Sequence, residues 1–464
     1  MSRNALLRAS VRNRSVRRAS PTTVLAIGRH RLIALGVYLA AIAILLVACP
    51  RARAADLRPL EETTLALLAV AAVAETSRSG EPVATARSDT SNAPESAPAI
   101  EVAAFYTADW RRNTSGGLRR GARHLDNLDL TLAIDAERAF GWRGTTLFAH
   151  GLYNNGQTLS EDLVGDLQGV SNIETGVEAV RLYEAWIEQR FAADRASVKV
   201  GLYDLNSEFD TIEAAGLFLN SSHGIGHDFS QSGRNGPSIF PVTSLAIRVD
   251  YRIDDHWLVR AAVLDGVPGD PEHPARTTIR LGGRDGALVI GEIVYADDDT
   301  RIALGHWRYT ATFDDVLATE ADGRPVGRDD NAGTYLLTER RLTREADGAQ
   351  GLSGWLRLGL AEERINPVDR YLGAGLVYVG PFAGRDADQI GLAIGWVGFG
   401  EPYRRAAAVG DAPDSREVSI EASYRAPITA WLTLQPDVQY VIDPGGDPAL
   451  DDALVLGLRA EIGF

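Results

Sequence analysis

From about Glu101 to Phe464, apolar and polar residues alternate with a period of two rather than the ~3.6 of a helix. In the last such segment Leu456, Leu458, Ala460, Ile462 and Phe464 share one face, and Gly457, Arg459, Glu461 and Gly463 the other. The segment before it sets Leu432, Leu434, Pro436, Val438, Tyr440 and Ile442 against Thr433, Gln435, Asp437 and Gln439. Earlier still, Val418, Ile420, Ala422 and Tyr424 alternate with Ser419, Glu421, Ser423 and Arg425. The pattern predicts about sixteen strands, from 101–111, 122–138 and 144–154 through 182–192 and 301–313 to 416–427, 430–442 and 453–464. Many are about ten residues long, the length a tilted strand needs to cross a bilayer.

The connections carry a second signal. Short ones (Ala192–Arg195, Asp254-Asp255, Asp297–Thr300, Ala426–Thr429) take turns with long ones (155–181, 205–242, 266–285, 314–332, 400–415). Short turns at one rim and long loops at the other are the mark of an outer-membrane barrel, whereas nothing in a soluble sandwich forces that asymmetry. The interval 343–351 is too long for a tight turn and fits less well. The expected fold is all-β: a transmembrane antiparallel barrel of about sixteen strands, with apolar side chains facing lipid and polar ones lining the lumen.

The first hundred residues read differently. Met1–Ala54 holds ten Arg and no acidic residue, and Leu32–Pro50 is free of charge. A basic head, an apolar run and Ala52-Arg53-Ala54 match a secretory signal with an A-x-A cleavage site, so 1–54 is read as a leader. Two alternatives stand beside it: a membrane anchor, and a lipoprotein signal in which Leu46-Val47-Ala48-Cys49 presents the cysteine for lipidation. Residues 55–100 form a flexible extension rich in Ala, Ser, Thr and Pro, and 101–464 the barrel domain. Removing the leader would take the formal charge from -15 to about -25, a balance that argues against nucleic acid as a partner. The single Cys excludes an internal disulfide and a cysteine zinc cluster.

Several spaced motifs resemble a known family. Gly141–Gly144 (GWRG), Arg181–Phe191 (RLYEAWIEQRF), Val200–Phe209 (VGLYDLNSEF), Leu217–Asn220 (LFLN), Asn366–Tyr371 (NPVDRY), Gly375–Gly380 (GLVYVG) and the Glu417–Phe464 stretch with its TAWLTLQPDVQYVIDPGG core are similar to the OprB-type carbohydrate-selective porins. The resemblance runs from about Ala103 to Phe464. It implies a sixteen-stranded outer-membrane barrel through which sugars diffuse passively into the periplasm, and no cofactor.

A barrel of this size leaves an aqueous channel, so selectivity must come from a constriction. The longest connection, 205–242, follows the fifth strand. With the N-terminus on the periplasmic side it is the third external loop, and its Leu217, Phe218 and Phe240 suit a segment folded into the lumen, with Asn206, Glu208, Asp210 and Arg234 as its polar candidates. Parity assigns Glu184, Trp186, Glu188 and Arg190 inward and Tyr183, Ala185, Ile187 and Phe191 to lipid. The same logic turns Lys199, Arg248, Asp250, Arg260, Arg357, Arg425 and Asp437 inward. Charged groups bond sugar hydroxyls and Trp186 offers a ring face, although Trp186 also suits plain packing under the loop, and charged walls are general in porins. Lys199 is the sole lysine of the chain.

Rival readings remain. The inward arginines suit a channel for small anions. His223, His227 and Asp228 (HGIGHD) have the spacing of a helical zinc pair, but Gly224 and Gly226 disfavour a helix there. Ser222-His223 on a Gly-rich loop, with no G-x-S-x-G sequence, is weak support for a barrel lipid hydrolase. The expected partners are carbohydrate solutes, outer-membrane lipid and the barrel-assembly machinery reading Phe464. A homotrimer stays open, because parity does not separate a subunit interface from lipid-facing surface.

Overall fold

The computed structural model describes residues 98–345, 350–407 and 413–464. The leader, its cysteine and most of the 55–100 extension lie outside the described residues. Eighteen strands follow in order: β1 (Ile100–Ser115), β2 (Gly121–Asp135), β3 (Thr145–Asn155), β4 (Glu178–Phe191), β5 (Ala196–Tyr203), β6 (Ser244–Arg252), β7 (Trp257–Asp265), β8 (Ala287–Ala296) and β9 (Thr300–Tyr309). Then come β10 (Phe313–Thr319), β11 (Pro325–Arg328), β12 (Ala332–Arg341), β13 (Gly351–Ala361), β14 (Val368–Val379), β15 (Gln389–Phe399), β16 (Arg416–Pro427), β17 (Leu432–Ile442) and β18 (Ala453–Gly463). All but β10 and β11 form one closed antiparallel barrel of sixteen strands in chain order. The first and last strands pair from Phe105↔Gly463 to Ser115↔Leu454. Closure leaves no open sheet edge, as hydrocarbon requires.

The outer face carries the apolar half of the alternation. Leu392, Ile247, Leu458 and Leu376 are exposed there. Aromatic side chains ring the short-turn rim, where Phe140, Trp142, Phe191, Trp257, Trp431 and Phe464 are all exposed, the placement favoured where hydrocarbon meets water. Phe464 also closes the seam through a backbone pair with Ala104.

Three expectations need correction. The segment 301–313 overran its strand: β9 stops at Tyr309, and Phe313 starts a small β10–β11 hairpin in the connection beyond. Tyr183 does not face lipid. A bulge in the β3–β4 pairing skips it, and the ring, 5% exposed, hydrogen-bonds Asp204 and meets His150 edge-on. Finally, the inner wall is not polar throughout. Leu288, Ile290, Trp307, Tyr335, Leu337 and Trp355 point inward and are buried against Leu205, Phe209, Leu217, Phe218 and Phe229 of the β5–β6 connection. Alternation marks which side chains share a face, and a loop packed inside a barrel gives that face an apolar partner.

Close approach on this inner face requires glycine at Gly391, where a Cβ would meet Leu217 and Phe218, each at 2.7 Å. Gly391→Val should destabilise the barrel by about 1–3 kcal/mol through overpacking. The check is the temperature at which the folded band is lost on a heat-modifiable gel, which should fall.

Candidate permeation site

The connection after β5 travels around the inside of the wall. Asp210 donates its backbone N–H to Glu292 of β8 at 3.0 Å. Glu213 and Ala214 donate theirs to Glu339 of β12 at 3.1 and 2.7 Å. Gln435 of β17 donates to the Leu217 carbonyl, and Leu219 and Asn220 donate to Glu421 of β16 at 2.7 and 2.8 Å. The Tyr371 hydroxyl of β14 reaches the Ser222 carbonyl at 2.7 Å, and Phe229 stacks on Trp307 of β9 at 4.9 Å. Among the described residues, this loop makes no hydrogen bond to β2 or β3.

The preceding loop, between β3 and β4, does the same for the seam. Leu167 and Gln168 donate to Glu417, Ser171 bonds Asp109, and Asn172 accepts from Arg459. Beneath it lies a buried network in which Asp109 holds Arg459 and Arg111, and Arg111 holds Asp437 at 3.0 Å.

Most of the residues singled out from parity meet in two clusters. In the first, Glu208 of the third loop accepts from Lys199 at 2.8 Å and from Arg248 at 2.7 Å. Arg248 also binds Glu188 at 2.8 Å, and Arg260 binds Asp250 at 2.8 Å and the Glu208 carbonyl. Burial pushes the Glu208 carboxyl up, but the charges of Lys199, Arg260 and Arg248 outweigh it and hold it below the usual carboxylate range. Lys199 lies 4.1 Å over the Trp186 ring, which stacks on Phe148 at 4.9 Å and donates its indole N–H to Glu184 at 3.2 Å. Trp186 and Phe148 are half-buried, not sealed.

The second cluster centres on Arg357, 2% exposed. It grips Asp210 at 2.7 Å and Asp228 at 2.5 Å and lies against the rings of Tyr371 and Tyr335. Gly226 is required beside it, since a Cβ there would run into the guanidinium.

Other candidates stand apart. Asp437 belongs to the seam network, and Arg425 pairs with Glu461 at 2.8 Å, half-buried. Arg190 is half-buried next to the short turn after β4. Asn206 bonds backbone carbonyls within its own loop. Arg234 reaches the carbonyls of Arg284 and Thr312 in neighbouring connections rather than the wall. His223 sits in a short turn between Phe218 and Trp355, at 5.3 and 5.5 Å, and His227 begins a separate helical turn. Sequence reasoning missed Phe148, Asp109, Arg111 and the wall carboxylates Glu292, Glu339, Glu417 and Glu421. Parity already turned Glu421 inward, but its role needs the position of the loop.

A closed sixteen-stranded barrel with loops fastened inside its lumen defines an outer-membrane porin. Residues 119–464 match the family described as carbohydrate-selective porin, OprB family, and the chain belongs to that family. Porin B of Pseudomonas aeruginosa PAO1 is 26% identical over 398 residues, covering 77% of this chain and 86% of that protein. The high-pH structure of Pseudomonas putida OprB has a TM-score of 0.72 and 23% identity, covering 79% of this chain and 94% of that one. Its low-pH structure gives 0.50 and 18%, covering 79% and 93%.

Arg357→Ala would leave Asp210 and Asp228 buried without their cation. It should cost about 3–5 kcal/mol and raise single-channel conductance as the loop loosens, read in planar bilayers beside a thermal melt. Burial lowers His223 to about 3 and His227 to about 4, and neither His223 nitrogen has a hydrogen-bond partner among the described residues. An unfolded chain takes up these protons near pH 6.5, so the packing contribution is complete above that pH and is lost as pH falls towards 3. His223→Phe should flatten the decline of the melting temperature between pH 6.5 and 4.

Proposed function

We propose that the channel passes neutral carbohydrates, mono- and oligosaccharides such as glucose, down their gradient into the periplasm, and that the constriction is the gap between the third loop and the inner face of β2–β4. The observation that carries the reading is the Phe148–Trp186 pair, half-exposed in that gap and flanked by hydrogen-bonding groups on Lys199, Glu184, Asp129 and His150. A pyranose offers a weakly apolar face and a rim of hydroxyls, so it can stack on the rings while bonding the charged groups.

Pairing of the inward cations speaks against the anion channel. Arg248, Arg260, Arg357 and Arg425 each have carboxylate partners, so they offer little uncompensated charge to recruit an anion. In this reading the leader exports the chain, and Phe464 serves as the signal read by the barrel-assembly machinery.

Glucose should reduce single-channel conductance of the reconstituted protein with weak ion selectivity. Trp186→Ala should weaken that block by roughly 2–10-fold, the range of one aromatic contact. A strongly anion-selective reversal potential with no block by glucose would overturn the proposal.

A further inference from the structure

Between Trp110 and Leu125 the chain has five Arg and no acidic residue, although acidic residues outnumber basic ones 62 to 47 overall. The β1–β2 hairpin sorts these guanidinia by face. Arg111 and Arg123 turn inward and are paired, with Asp109 and Asp437 and with Asp162. Arg112 is exposed on the outer face and Arg120 is exposed in the turn that joins β1 to β2, and among the described residues neither side chain has a hydrogen bond or ion pair.

We propose that the outward face of this hairpin binds the phosphate groups of a lipid in the outer leaflet. Arg112 shares its face with Trp110, 49% exposed, and lies across the seam from Leu456, 45% exposed. Trp110 packs on His124 of β2 at 5.3 Å. Leu456 stands about eight residues above Phe464 on β18, roughly 20 Å of height for a strand tilted near 40°. That is close to the top of an apolar band about 25 Å tall, and a long arginine side chain carries its charge above it. Acyl chains would lie along Leu456 and Leu458 while the guanidinia meet the headgroup. At this depth water screens charge poorly, and a guanidinium fork matches phosphate oxygens two at a time. Charge complementarity therefore selects a lipid whose phosphates carry uncompensated negative charge over a zwitterionic one. The long-loop rim must face outward for this, as the porin reading places it.

The test uses the full chain in nanodiscs of phosphatidylethanolamine, with bisphosphorylated lipid A and its dephosphorylated form as probes and native mass spectrometry as the readout. The wild type should retain the phosphorylated form preferentially. Arg112→Gln with Arg120→Gln should weaken retention at least about tenfold, as expected for losing charge-assisted bonds, while Arg112→Lys with Arg120→Lys keeps most of it. Arg324→Gln, on the distant β10–β11 hairpin, should change nothing. Equal retention of the two lipids by the wild type would overturn the proposal, whatever the variants do. So would full retention by the double Gln variant, displacement of the lipid by millimolar inorganic phosphate alone, or a second copy of the chain bound there instead.

Discussion

Amide groups of a loop packed inside a barrel have lost bulk water and have no strand to pair with, so each one left bare carries a desolvation cost. The wall meets this need with carboxylates. Glu417, Glu421 and Glu339 each take two adjacent backbone N–H groups, and Glu292 takes the amide of Asp210. A carboxylate has lone pairs enough for two donors at once, and it stands on a strand that cannot move. The loop path, and with it the shape of the lumen, depends on these grips.

Charge buried between the loop and the wall is paired in the same way. Lys199, Arg248 and Arg260 converge on Glu208, Glu188 and Asp250, and Arg357 sits between Asp210 and Asp228. Such pairs contribute little net stability, because desolvating both ions offsets most of their attraction. What they supply is position. Lys199–Glu208, Arg248–Glu208, Arg357–Asp210 and Arg357–Asp228 each set a strand residue against a loop residue and so fix the loop to the wall. Arg248–Glu188 and Arg260–Asp250 join strands of the wall to each other. Apolar packing of Phe209 and Phe229 of that loop against Trp307 and Trp355 of the wall completes the attachment.

Alternation made the sixteen barrel strands and the facing of Glu188, Lys199, Arg248 and Arg357 legible, because a period of two is a local property of the chain. Tyr183 was misplaced because one bulged residue shifts parity and leaves no mark in composition. The apolar inner wall was illegible for a different reason: Trp307 and Tyr335 are buried on the inner face only because a distant loop covers them. Arg234 looked like a lumen residue by its place in that loop, but its partners belong to two other connections. Facing is written locally, and partnership is not.

The seam network joins residues at opposite ends of the chain: Asp109 lies 350 positions from Arg459, and Arg111 lies 326 from Asp437. These contacts cannot form until the last two strands have been made and brought round to the first. Until then Asp109 and Arg111 have only each other as ion partners, and Arg459 and Asp437 arrive with the closing strands. The full set of charge pairs exists only in the closed ring, so the seam network is a property of barrel closure and of no smaller part of the sheet.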